Sequence, residues 1–255
     1  MRLAYLGSPE AAVPPLRALV DAGHDVALVV TQVDKRRGRG GQLVPTPVKA
    51  AATELGIPVT HRVADVLDAN VELGVVVAFG RIIKPDVLAT VPMVNIHFSL
   101  LPRWRGAAPV ERAILAGDGE TAVSIMGVEE GLDTGNIHAE ERVAIGDDET
   151  ADELRDRLVA IGSDLLVRTL AEPLTEGRPQ EGEPSYADKI DPAELELDWT
   201  RSAADLHRLV RIGRGAWTTF RGKRLRVLAA RPTVGRLQPG EIDGPGVQGG
   251  GPRGV

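Results

Sequence analysis

Asn95-Ile96-His97 closes a short apolar stretch that begins at Met93. Residues two apart in an extended chain project from the same face, so both polar side chains can point at one ligand. Asn offers a fixed N–H donor and a carbonyl acceptor, and His moves a proton near neutral pH. A donor beside a proton carrier suits acyl transfer to an amine, in which an oxyanion develops and the attacking nitrogen sheds a proton. Taken alone, the pair fits polar turn formers at a strand end equally well.

Two neighbouring segments add to that chemistry. Ser99-Leu100-Leu101-Pro102-Arg103-Trp104-Arg105-Gly106 reads as an irregular loop beyond the strand end. Its Trp104 is either a wall for a flat ligand or a cap on the core beside solvated arginines. In Gly131-Leu132-Asp133-Thr134-Gly135 the glycines permit tight backbone geometry. Asp133 is then either the third group that orients His97 or an Asx-turn between two strands. Asp-Thr-Gly is also the mark of aspartic proteases, but that chemistry needs two such loops or a symmetric dimer of small all-β chains. Gly7-Ser8-Pro9-Glu10-Ala11-Ala12 lacks the second and third glycines of a dinucleotide-binding turn. With no cysteine, disulfide scaffolds, thiolate zinc sites and cysteine nucleophiles are excluded. The histidines show no ligand spacing, and no metal is expected.

The elements that must position these residues follow from the apolar pattern. Runs at Arg2–Leu6, Asp25–Thr31, Ile57–Thr60, Gly74–Phe79 and Met93–His97 predict strands. Continuous runs such as Val26-Ala27-Leu28-Val29-Val30 suit strands buried on both faces. Helices are predicted from Pro9 or Glu10 to Ala22, over Pro47–Leu55 and over residues 109–116, with a basic loop at Lys35–Gly41. This alternation predicts an α/β fold, a Rossmann-like mostly parallel sheet whose ligands bind beyond the carboxyl ends of the strands. Thr121–Glu129 and Ile137–Ile145 predict an antiparallel extension. Asp148–Leu170 carries Leu154, Leu158, Ile161, Leu165 and Leu166 at helical spacing.

The expected organisation is a catalytic domain over 1–172 and a Pro-, Gly- and Glu-rich linker over 173–193. A small, shortened C-terminal β domain is expected over 194–243, with a helix near Ala203–Val210 and a basic strand at Arg224–Leu228. Residues 244–255, mostly glycine and proline, are expected to be disordered. No apolar run reaches the roughly 18 residues of a membrane span, and no signal segment is recognisable, so a cytoplasmic protein is expected. The net charge of −6 conceals two basic islands. Residues 35–49 hold Lys35, Arg36, Arg37, Arg39 and Lys49 without an acid, and residues 201–236 hold ten Lys or Arg against Asp205 alone. Such islands fit a polyanionic partner, or simply solvated faces.

Asn95-Ile96-His97 with Ser99 to Pro109, and Gly131-Leu132-Asp133-Thr134-Gly135, resemble the two signatures of the 10-formyltetrahydrofolate-dependent formyltransferases. The likeness runs over about residues 1 to 240. It implies Asn95, His97 and Asp133 as the catalytic trio, Ser99, Leu100, Leu101 and Pro102 at the folate site, and 10-formyltetrahydrofolate as co-substrate. The implied mechanism is direct attack of an amine on the formyl carbon. Asn95 and protonated His97 would stabilise the oxyanion, while Asp133 would orient His97 and help relay the proton. Gly38-Arg39-Gly40 leading to Pro45-Thr46-Pro47-Val48-Lys49, and Leu197-Asp198-Trp199 with its basic tail, are similar to the branch that acts on initiator methionyl-tRNA. That implies tRNA contacts at Arg39, with Lys35, Arg36 and Arg37 beside it, in an expected monomer. Alternatives are formyl transfer to a nucleotide-linked amino sugar, which leaves the basic islands without a role, and a non-catalytic RNA-binding relative, which has no need of the trio. The C-terminal barrel of the family runs further than this sequence does, so a half-built barrel with unpaired edges is expected.

Overall fold

A computed structural model describes residues 1–37, 41–213, 215–233 and 236–243, with backbone alone at 37 and 236–243. In chain order the elements are β1 (Arg2–Gly7), α1 (Val13–Asp21), β2 (Asp25–Val30), β3 (Lys35–Arg37), β4 (Gln42–Val44), α2 (Pro47–Glu54), β5 (Val59–Thr60) and β6 (Leu73–Val77). There follow α3 (Pro85–Thr90), β7 (Met93–His97), β8 (Arg105–Gly106), α4 (Pro109–Ala116), β9 (Glu120–Gly127), β10 (Ile137–Ala144) and α5 (Ala151–Leu170). The C-terminal part holds β11 (Tyr186–Ala187), α6 (Ala203–Arg211), β12 (Ala216–Phe220), β13 (Lys223–Thr233) and β14 (Arg236–Asp243).

The central sheet runs β10-β9-β7-β6-β1-β2-β5. Its last five members are parallel, while β9 is antiparallel to β7 and to β10. Every residue of β6 is buried, as a strand covered on both faces requires. Alternation along β1 feeds two apolar layers. Leu3 and Tyr5 pack with α1, α2 and α5, whereas Ala4 and Leu6 pack with Val66 and with Val87 of α3. The expected α/β sheet with its antiparallel extension is what forms.

Local chemistry moves some boundaries. The long helix begins at Ala151 rather than Asp148 because Thr150 and Glu153 form a reciprocal capping box. The first predicted helix divides into a 3-10 turn, Glu10–Ala12, and α1. Lys35–Gly41, expected as a plain loop, instead opens as an antiparallel ribbon in which Lys35 pairs with Val44 and Arg37 with Gln42. Backbone pairing of this kind leaves no apolar periodicity to read.

Residues 173–193 are held against the sheet and its loops. Arg178 and Ile137 exchange both backbone hydrogen bonds, at 2.8 and 2.9 Å, and β11 pairs in parallel with β8. The C-terminal part shares the main core: Leu206, Leu209 and Val210 of α6 belong to the same cluster as Leu3 and Ile114. Arg211 docks that helix, donating Nε–H to the Glu149 carbonyl at 2.8 Å and Nη2–H to Gly146 at 2.7 Å. β12, β13 and β14 form an antiparallel sheet. Among the described residues no helix is long and apolar enough to cross a membrane. The expected tail 244–255 lies outside the described residues.

Candidate active site

Parallel strands β6 and β7 deliver their carboxyl ends to one edge of the sheet, where ligands of such sheets bind. Asn95 and His97 lie there, paired across β9 with Met126 and Ser124. His97 is buried, 5 % exposed, and Asn95 half-buried. The imidazole Nε2 lies 2.9 Å from the backbone carbonyl of Trp104. A carbonyl only accepts, so Nε2 carries a hydrogen and Nδ1 is left as the proton-accepting nitrogen of the neutral ring. Trp104 presents its carbonyl from a left-handed conformation, φ 63°, which costs a residue with a Cβ about 1–2 kcal/mol.

Asp133 faces Nδ1. Its Oδ2 sits 3.7 Å from that nitrogen and accepts the Gly106 N–H at 2.8 Å. The longer distance is outside direct hydrogen bonding, yet close enough for charge attraction once the ring is protonated. Asp133 is itself left-handed, φ 51°. Its loop can close only because Gly135 lacks a side chain: a Cβ there would lie 2.0 Å from the Gly127 carbonyl oxygen.

The segment expected at the folate site is largely turned inward. The Ser99 side chain is fully buried, donating to the Arg103 carbonyl at 2.6 Å, and the Ser99 carbonyl accepts from the Ser124 hydroxyl at 2.9 Å. Leu101 packs with Met126 and Ile137, Pro102 is buried, and Leu100 is half-buried. These residues shape the loop that turns Trp104 toward His97. The Trp104 indole N–H donates to Asp118 at 2.7 Å, and Arg103 both pairs with Asp118 and lies over the indole, 4.4 Å from its centroid. Its hydrogen bonds to Asp118 hold the Arg103 pKa above the usual value. Arg103 is therefore engaged rather than freely solvated.

Sequence reasoning passed over two features of this edge. Just past β6, Ala78 is left-handed at φ 45°, and Ile82 is 91 % exposed. Leu132, between the site glycines, is 60 % exposed. Both are large apolar side chains exposed in loops that leave the central sheet, Ile82 after β6 and Leu132 between β9 and β10. Gly80, directly after a strand in an alternating pattern, was the available signal. The other is Gln180, whose amide bridges the Asp133 and Arg105 loops. No pattern in the sequence marks it.

Of the expected tRNA contacts, Lys35 and Arg36 are exposed on β3, and Arg36 donates to the Gly41 carbonyl at 3.0 Å. Only the backbone of Arg37 is described, in β3, and Arg39 lies outside the described residues. The second basic island divides in two. Arg211 is buried and Arg208 pairs with Asp205. Arg221, Lys223, Arg224, Arg226 and Arg231 are exposed around β12 and β13, with Arg221 over Phe220 and Arg224 over Trp217.

A histidine facing a carboxylate, with an asparagine two residues before it on the same strand at the carboxyl edge of an open α/β sheet, supplies the kinds of group that acyl transfer to an amine calls for. The family model described as "Formyl transferase" matches residues 1–170, and that described as "Formyl transferase, C-terminal domain" matches 189–248. The chain is 46 % identical to the methionyl-tRNA formyltransferase of Roseobacter denitrificans, over 95 % of this chain and 84 % of that protein. Among solved structures it is similar in fold to the methionyl-tRNA formyltransferase from Clostridium thermocellum, with TM-score 0.71 at 18 % identity over 98 % of this chain and 100 % of that one. It is likewise similar to an N-formyltransferase from Helicobacter canadensis in complex with folinic acid and dTDP-3-aminofucose, with TM-score 0.71 at 18 % identity over 91 % of this chain and 87 % of that one. The chain belongs to the formyl transferase family, and it is an enzyme of formyl transfer.

Proposed function

We propose that this chain transfers the formyl group of 10-formyltetrahydrofolate to the free amino group of methionine on initiator methionyl-tRNA, acting as a monomer in the cytoplasm. The observation that carries the acceptor is the coexistence of two surfaces on one chain. One is an edge with Asn95, His97 and Asp133, and the other is the exposed Arg221, Lys223, Arg224, Arg226 and Arg231 face. A small amine needs only the first of these. The likeness to methionyl-tRNA formyltransferases over nearly the whole chain supports the same acceptor.

The folate supplies a formyl group on a nitrogen that can leave with its electron pair. Ile82 and Leu132 offer apolar surface to its flat ring system. The Asn95 amide donates to the formyl oxygen as negative charge grows on it. His97 Nδ1 takes the proton released by the attacking amine, and the adjacent Asp133 carboxylate balances the resulting positive charge. The carbon–nitrogen bond to the folate then breaks, and the leaving nitrogen is protonated from the His97–Asp133 pair. Trp104 keeps the ring in one tautomer throughout by holding Nε2–H.

The deciding experiment supplies 10-formyltetrahydrofolate with methionyl-tRNA or with a nucleotide-linked amino sugar. Formyl-methionyl-tRNA is the expected product. Formylation of the sugar alone replaces the acceptor, and tRNA binding without turnover by either route removes the catalytic reading.

A further inference from the structure

We propose that Gln180, in the stretch between α5 and β11, is the positioning residue that holds Asp133 against His97. This rests on the catalytic reading of Asp133 given above. The Gln180 amide Nε2 donates to the Asp133 carbonyl at 2.8 Å and to the Gly135 carbonyl at 2.9 Å. Its Oε1 accepts from Arg105 Nε at 3.1 Å and Nη2 at 2.6 Å. Carbonyls only accept and a guanidinium only donates, so the chemistry of the partners fixes which way the amide points. Both of its N–H groups and both lone pairs of its oxygen are used.

The geometry explains why such a clamp is needed. Asp133 sits at φ 51° between glycines. A left-handed residue persists only where surrounding contacts over-determine it. Two of those contacts are the Gln180 bonds to the carbonyls of Asp133 and Gly135. Arg105 directly precedes Gly106, whose N–H grips Asp133 Oδ2. The two site loops are thus joined twice, once by the Gly106–Asp133 bond and once through Gln180. Gln180 has its own anchors, the backbone pairing of Arg178 with Ile137 and the Ser185 carbonyl that accepts the Arg105 N–H at 2.8 Å. The stretch between the two family-model regions therefore sets the geometry of the catalytic carboxylate. A displacement of about 1 Å in a catalytic group can cost on the order of 100-fold in rate.

The test measures formyl transfer by the full chain for Gln180→Met, Gln180→Glu, Asp133→Asn and the double variant Gln180→Met with Asp133→Asn. KM for both substrates and the unfolding midpoint are recorded alongside. Gln180→Met keeps the side-chain length and removes every hydrogen bond, while Gln180→Glu keeps the Arg105 contact and removes both donors. Each Gln180 variant should lose about 10- to 100-fold in kcat while KM stays within about twofold. In the Asp133→Asn background the Gln180→Met loss should shrink to about twofold or less, because a residue that acts through Asp133 has nothing left to position. Wild-type kcat in both Gln180 variants beside a disabled Asp133→Asn overturns the inference alone. So does a loss of equal size in both backgrounds, or one confined to the KM for tRNA. Full kcat in Asp133→Asn overturns the catalytic reading and the inference together. Should Gln180→Met be unfolded at the assay temperature, the same comparison is made with Gln180→Glu.

Discussion

The carboxyl edge of the main sheet and the basic face of β12 and β13 solve different physical problems. At the edge, the ring of His97 is buried, its Nε2 is committed to Trp104, and Asp133 is pinned by Gly106 and Gln180. On the basic face, arginines lie exposed around β12 and β13 of the antiparallel sheet, some resting on aromatic rings. Proton transfer and oxyanion stabilisation depend on placement to a fraction of an ångström. Attraction between guanidinium groups and phosphates falls off slowly with distance and tolerates many geometries. On the proposed function, the saturated hydrogen bonds of Gln180 and Gly106 belong to the region that carries the chemistry, and simple exposed charge to the region that gathers a large polyanion.

The largest effect expected from this contrast is at the edge. His97→Ala or Asp133→Asn should lower kcat by about 100-fold or more, with KM for methionyl-tRNA nearly unchanged. A raised KM with kcat intact would erase the distinction between the regions. Next is Arg211, which ties α6 to the 146–149 turn through two backbone carbonyls. Arg211→Leu should cost about 1–3 kcal/mol in denaturant unfolding, since it takes the guanidinium donor from the Glu149 carbonyl and leaves the Gly146 carbonyl with the Glu149 N–H alone. It should weaken tRNA binding more than it slows turnover at saturation.

Smaller again, replacing Arg221, Lys223 and Arg224 together by Ala should raise KM for tRNA and leave kcat at saturation intact. The slope of log affinity against log salt should also flatten by about 0.7–0.9 for each phosphate that is no longer neutralised. An unchanged salt slope would remove the polyanion role from this face. The smallest effect is at His207, on α6. Burial lowers its pKa despite the nearby Asp148. A depressed value means the unfolded chain takes up the proton first. Stability is thus complete above the ordinary histidine value of 6.5 and declines as pH falls toward the folded-state value. Unfolding measured from pH 7.5 to 5 should be less pH-dependent in His207→Gln, and an identical pH dependence would place the acid sensitivity elsewhere.

Much of the fold was legible because its strands are read by composition. Val75, Val76 and Val77 belong to an unbroken apolar run, and a strand covered on both faces needs little else. The spacing of Asn95 and His97 was legible because strand periodicity alone puts them on one face. The ribbon at Lys35–Val44 was missed because backbone pairing, not side-chain patterning, makes it. The burial of Ser99 and Pro102 was not legible because a loop sequence does not say which of its side chains face the core. Gln180 was invisible for a related reason: one amide in a stretch rich in Pro, Gly and Glu becomes informative only when its partners are known.

Taken by itself, the sequence determined the residue types available for chemistry, the sheet edge that would carry Asn95 and His97, and the segregation of basic from acidic surface. Those properties are local, set by side-chain identity and by periods of two or about 3.6 residues. Tertiary structure alone decided that His97 leans on a backbone carbonyl, that Asp133 stands 3.7 Å from Nδ1, and that Gln180 and Arg105 lock its loop. A left-handed Trp104 and the backbone carbonyls that bind His97 and Gln180 carry no residue-type signature. Their geometry is fixed by contacts between segments far apart in the chain, and it exists only once those segments have packed.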